Sequence, residues 1–142
     1  MKKDIVISIF GEQAGDGAGG QVELITKGTY KNDNSGHYII YDETEMTGFG
    51  GETTTTLKIE DAHKVVMTRS GGNNTRMVFE KGKHHFGHYE TPYGGLNVGV
   101  FSENVRIDLN ERGGSIKIDY FLDVNNSGSH KHNFSINFSQ PS

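Results

Sequence analysis

The chain of 142 residues has no cysteine, so it cannot carry a disulfide framework, a thiolate nucleophile or a cysteine-based zinc site. It holds only three alanines and five leucines, too few of the commonest helix formers for a helical protein. No apolar run approaches the roughly 18–20 residues that a membrane-spanning helix needs. The stretch from Ile5 to Phe10 follows Met1-Lys2-Lys3-Asp4, contains Ser8 and leads to no small-residue cleavage site. It reads as a first strand rather than a signal peptide, and a cytoplasmic location away from membranes is expected. Basic residues are in the minority, 14 Lys and Arg against 18 Asp and Glu, for a net charge of −4 with both signs dispersed. A nucleic-acid binder that must neutralise several phosphates is therefore disfavoured. Two prolines and 20 glycines stay below the share, roughly 25–30%, that marks low-complexity disorder.

What the chain does have is β-branched side chains: 11 Ile, 9 Val and 11 Thr, the composition of a pleated sheet. Apolar residues recur with period two, as they must on a strand with one buried face. Ile5, Ile7 and Ile9 form one such series; Val22, Leu24 and Thr26 another; Ile39, Tyr41 and Glu43 a third. Leu57 and Ile59, Val65 and Met67, and Met77 and Phe79 follow. Further along come Leu96, Val98 and Val100, then Val105, Ile107 and Leu109. The longest series are Ile116 to Val124 and His132 to Phe138, interleaved with polar residues such as Lys117, Asp119, Asn133 and Asn137. Turn-forming clusters fall between them, at Asn32 to Gly36, Gly48 to Gly51, Ser70 to Asn74, Gly94-Gly95, Arg112 to Gly114 and Asn125 to Gly128. No segment is long enough for a crossover helix. The sequence predicts an all-β fold in one domain over residues 1–142, an antiparallel meander of about eight to ten strands that closes into a barrel and so leaves no open sheet edge.

Gly15-Asp16-Gly17-Ala18-Gly19-Gly20 matches the G-x-G-x-x-G spacing of dinucleotide sites, but that motif works only at a helix start. Here the strand-like Gln21 to Thr26 follows, so a hairpin loop is expected and no cofactor is implied. Among seven histidines, His130 and His132 would share a strand face, as two metal ligands should. His84 and His88 also share a face but lie roughly 13 Å apart on a strand, too far for one ion. With Glu43 the one inward carboxylate to complete a site, metal binding at His130 and His132 is the weaker reading. No G-x-S-x-G elbow or obvious paired carboxylates appear, and Ser70 lies in a turn, so the set of nucleophile, base and orienting group is unfilled and an enzyme is the less favoured reading.

The sharper signal is polar residues on the apolar parity. Tyr41 and Glu43 continue the face of Ile39, Arg69 that of Val65 and Met67, Tyr120 lies between Ile118 and Leu122, and His132 precedes Phe134. Pointing inward, charged groups need partners, and Glu43 with Arg69 is the natural pair. With Tyr89, these residues are the expected lining of an interior site for one small apolar or amphipathic ligand, Arg69 being well shaped for a carboxylate. The alternative is an interaction or scaffold protein whose barrel is filled by side chains. It would act through an outer face, with Phe101 and Phe121 on the outward parity, or as a homodimer.

The ordered segments Tyr41-Asp42-Glu43, Thr56-Leu57-Lys58-Ile59, Arg69-Ser70-Gly71, Phe79-Glu80-Lys81-Gly82, Tyr89-Glu90-Thr91-Pro92-Tyr93-Gly94, Gly114 to Tyr120 and His132-Asn133-Phe134-Ser135-Ile136 resemble the YwiB-like family of small proteins from Gram-positive bacteria. The resemblance runs from about Tyr38 to Phe138. It implies a calycin fold, a lipocalin-like meander barrel, and brings no established activity with it. Gly11 to Gly20 and the histidines between His84 and His88 depart from the family pattern.

Overall fold

The computed structural model describes residues 2–13, 21–34, 36–42, 53–71, 74–91, 94–110, 112–124 and 128–140, apart from the side chains of residues 12, 13, 21, 22, 53, 89–91 and 124. Ten strands follow in order: β1 (Lys2–Gln13), β2 (Gln21–Asp33), β3 (Gly36–Asp42), β4 (Thr53–Asp61), β5 (Lys64–Gly71), β6 (Thr75–Glu80), β7 (His84–Thr91), β8 (Gly94–Asn110), β9 (Gly113–Val124) and β10 (Ser129–Ser139). Each pairs antiparallel with its neighbour in sequence, and β1 pairs with β10 to close the ring. The expected meander barrel is what forms, because closure gives every strand a neighbour on both sides.

The alternating pattern sets the inner wall. Ile9 stands opposite Leu24 on β2 and Ile136 on β10; Ile136 faces Ile116, which faces Ile107. Ile7, Ile39, Leu57, Val65, Phe79 and Ile116 are fully buried, each contributing about 1.5–3 kcal/mol by removal from water. At mid-height the lumen is crossed by aromatic rings. Phe79 of β6 meets Tyr120 of β9 edge-on at 4.9 Å and Phe134 of β10 at 5.6 Å, so side chains from opposing walls touch and fill the barrel at that level.

Two departures from the sequence reading have clear causes. The series Leu96 to Val100 and Val105 to Leu109, of opposite parity, belong to one strand of 17 residues. The register shifts between Ser102 and Asn104: the extra residue, Glu103, is a β-bulge that swaps which parity faces inward. Gly94-Gly95 and Gly113-Gly114 open strands rather than occupy turns. A Cβ at Gly113 would run into the Phe138 backbone carbonyl, so glycine serves close strand approach there. Gly28 does the same on the inner wall, where a Cβ would come within 2.5 Å of the Ile40 carbonyl oxygen.

The two ends of the barrel differ. At one, β2–β3, β4–β5, β6–β7 and β8–β9 are joined by tight turns. The carboxylate of Asp61 accepts from the His63 backbone N–H at 2.8 Å, and the side-chain oxygen of Asn110 accepts from that of Arg112 at 2.9 Å, both Asx-type turns. Tyr30 and Phe138 stack at 5.9 Å across this end. From the opposite end leave the β1–β2, β3–β4, β5–β6, β7–β8 and β9–β10 connections. The glycine motif Gly15 to Gly20 and the Gly48 to Gly51 turn lie outside the described residues.

Candidate functional site

Toward that second end the inner wall turns polar. Tyr41 stands opposite Thr55, Thr55 opposite Arg69, Arg69 opposite Thr75 and Thr75 opposite Tyr89. Directly opposed residues on one sheet face have Cβ atoms about 4.5–5.5 Å apart. From Tyr41 to Thr75 the row is therefore a continuous belt across four strands, set by nothing more than in-phase register. Tyr41, Thr55 and Thr75 are 5%, 0% and 3% exposed, and Arg69 is half-buried.

The facing wall carries Tyr120 and His132, opposite each other on β9 and β10 and stacked at 5.3 Å. Burial pushes the Tyr120 hydroxyl up to about 12, against the opposing pull of the Arg69 cation. That pull ties Arg69 electrostatically to the far wall. His132 is lowered, first by burial and then by the charge of His130. Low-dielectric surroundings disfavour the charged form of both rings.

Two hydroxyls stand out. Thr75 Oγ1 in the belt, and Ser102 Oγ on the inward parity opposite Tyr120, are buried without a hydrogen-bond partner among the described residues. Leaving such a group unpaired costs about 1–3 kcal/mol, so each is an open demand for a polar atom.

Of the residues singled out in the sequence, Tyr41, Arg69, Tyr120 and His132 fall on the inner wall. Glu43 and the Tyr89 side chain lie outside what the structure describes, and with them the expected Glu43–Arg69 pair. His130 is exposed, and no cluster of three or more His, Asp or Glu suited to a metal occurs among the described residues. His84 and His88 sit exposed on β7, either side of Phe86. Phe101 and Phe121 face each other across β8 and β9 on the outer wall, partly exposed.

The sequence reading missed Thr55, Thr75 and Ser102, although each lies on the apolar parity of its strand. It also missed two side-chain pairs. Tyr30 and His37 bond at the tight-turn end, where a cleft of about 150 Å³ runs along Ile5, Tyr30 and Phe138. His85 and Glu80 bond at 2.9 Å where β6 and β7, paired only at Thr75–Tyr89 and Arg76–His88, diverge.

These features describe a ten-strand antiparallel meander barrel, packed at its middle and one end and lined by a buried polar belt toward the other. The family model described as Domain of unknown function (DUF1934) matches residues 7–136, and the chain belongs to that family. It is 26% identical over 141 residues to a Bacillus subtilis (strain 168) protein described as "Uncharacterized beta-barrel protein YwiB", covering 97% of this chain and 96% of that one. The fold is also that of the crystal structure of ywiB protein from Bacillus subtilis, with a TM-score of 0.86 at 24% identity over 99% of this chain and 94% of that one. No helix among the described residues is long and apolar enough to cross a membrane.

Proposed function

We propose that the barrel is a calycin-like binding protein that takes one small amphipathic molecule with an anionic head. The head meets Arg69 and the hydroxyls of the belt, and the apolar part lies against the Phe79, Tyr120 and Phe134 rings. A guanidinium supplies a fork of donors suited to a carboxylate or sulfonate. The observation that carries this reading is the pair of unsatisfied hydroxyls, Thr75 Oγ1 directly opposite that cation on the neighbouring strand and Ser102 Oγ opposite Tyr120 on the facing wall. A filled, purely structural interior has no use for them. No step of chemistry is assigned: among the described residues the belt brings together no nucleophile with a base.

Anilinonaphthalene sulfonate, an anionic amphipathic dye, tests the reading. The folded protein is expected to bind it saturably, one per chain. Arg69→Met and Thr75→Val are each expected to weaken binding about tenfold, the worth of one good polar contact, with circular dichroism unchanged. Binding that is absent, or equally strong in the Thr75→Val variant, overturns the proposal even if Arg69→Met fails to fold.

A further inference from the structure

The two edges of β8 are used unequally. On one, residues 98–110 pair with β9. On the other, β7 covers only residues 94–101. The coverage ends at Ser102, whose carbonyl accepts from Gly82 N–H at 2.8 Å and whose N–H donates to the Lys83 carbonyl at 3.3 Å. From residue 104 to 110 no strand pairs with this second edge among the described residues. Seven residues of unpaired backbone are a template for another strand.

The side chains along that edge say which strand fits. Beyond the bulge, Val105, Ile107 and Leu109 take the inward parity, while Arg106, Asp108 and Asn110 point outward and are exposed. Leu109 is 38% exposed. The segment Asn104-Val105-Arg106-Ile107-Asp108-Leu109-Asn110 is complementary to its own reverse. Two copies laid antiparallel about a twofold axis at Ile107 set Asn104 against Asn110, Val105 against Leu109, Arg106 against Asp108, and Ile107 against its equivalent. Moving the axis to Arg106 or to Asp108 puts like charges face to face, and moving it by half a residue mixes inward with outward side chains. Sequence alone therefore selects one register.

The outer charges also lack satisfaction within the chain. Arg106 lies directly opposite Lys117 on β9, an unfavourable like-charge pair. Neither the Arg106 nor the Asp108 side chain makes a hydrogen bond or ion pair among the described residues. A carboxylate arriving across the edge relieves Arg106, and by symmetry each copy gives and receives one such contact.

We propose that a second copy of this chain docks on the edge of residues 104–110, joining two barrels into a continuous antiparallel sheet with a twofold axis at Ile107. A ladder of this length sits at the small end of specific interfaces, so the dimer is expected to be concentration-dependent.

Sedimentation velocity on the full chain tests this. The wild type is expected to pass from monomer to dimer over the micromolar range, and Arg106→Asp and Asp108→Arg are each expected to weaken self-association about tenfold or more. Mixing the two variants is expected to form a heterodimer, because one edge is then doubly acidic and the other doubly basic. The double exchange Arg106→Asp with Asp108→Arg is expected to regain self-association. Both positions are exposed, so circular dichroism should show every variant folded. A wild type that stays monomeric at every concentration, single variants that dimerise like the wild type, or a mixture that fails to pair each overturn the proposal.

Discussion

Tyr120 and His132 lie directly opposite each other on β9 and β10, their rings 5.3 Å apart and inclined by only 13°. Both are held in their neutral forms, so the stack links the stability of the barrel to pH at two ends of the scale. His132 is lowered from its ordinary 6.5 by burial first and by His130 second. The unfolded chain then binds the proton more tightly than the folded one, so the contribution of neutral His132 is complete above 6.5 and is lost as pH falls below it. A thermal midpoint that declines from pH 7.5 to 5.5, with a shallower decline in His132→Phe, is the expected result.

On the alkaline side the sign reverses. Tyr120 is raised from 10.0 to about 12, so the folded state holds its proton longer than the unfolded one. Its contribution is complete below 10 and is lost as pH climbs toward 12. In a spectrophotometric titration, the phenolate signal that disappears in Tyr120→Phe is expected to emerge last, together with unfolding.

Thr75→Val is expected to raise stability in urea denaturation by about 1 kcal/mol. The substitution keeps the shape and removes a buried hydroxyl that has no partner among the described residues, so the desolvation cost disappears without a lost bond. A loss of stability would show that the hydroxyl is satisfied.

Phe79→Ala is expected to cost about 3–5 kcal/mol in the same measurement. The ring is fully buried and touches Tyr120 and Phe134 across the lumen, leaving no rigid neighbour able to fill the space.

Gly28→Ala is expected to destabilise by about 1–3 kcal/mol. The added methyl meets the Ile40 carbonyl oxygen at 2.5 Å, and backbone cannot move aside as a side chain can.

The fold was legible because its information is local. Period-two series from Ile5 to Phe138 state which residues face inward, and glycine and Asx clusters state where most strands turn. What escaped is relational. That Thr55 and Thr75 fall level with Arg69 depends on the registers of β4 with β5 and of β5 with β6, and neither register is written in either strand alone. Thr on an apolar parity reads as an ordinary β-former until the neighbouring strand shows it to be part of a belt. The bulge in β8 was present in the sequence as a switch from even to odd apolar positions, but a switch of parity reads equally well as the end of one strand and the start of the next. His85 with Glu80, and Tyr30 with His37, meet only because of how their hairpins close.

Glu103 has a consequence for how the chain can vary in length. The single extra residue acts as a phase shifter halfway along β8, so the strand can line the lumen with Val98 and Val100 above it and with Val105 and Ile107 below. Deleting it would turn Arg106 and Asp108 into the hydrocarbon interior and expel Val105 to water, an inversion that no rotamer adjustment repairs. Among relatives, insertions and deletions are therefore expected to cluster at the hairpin tips and to avoid this one position in mid-strand.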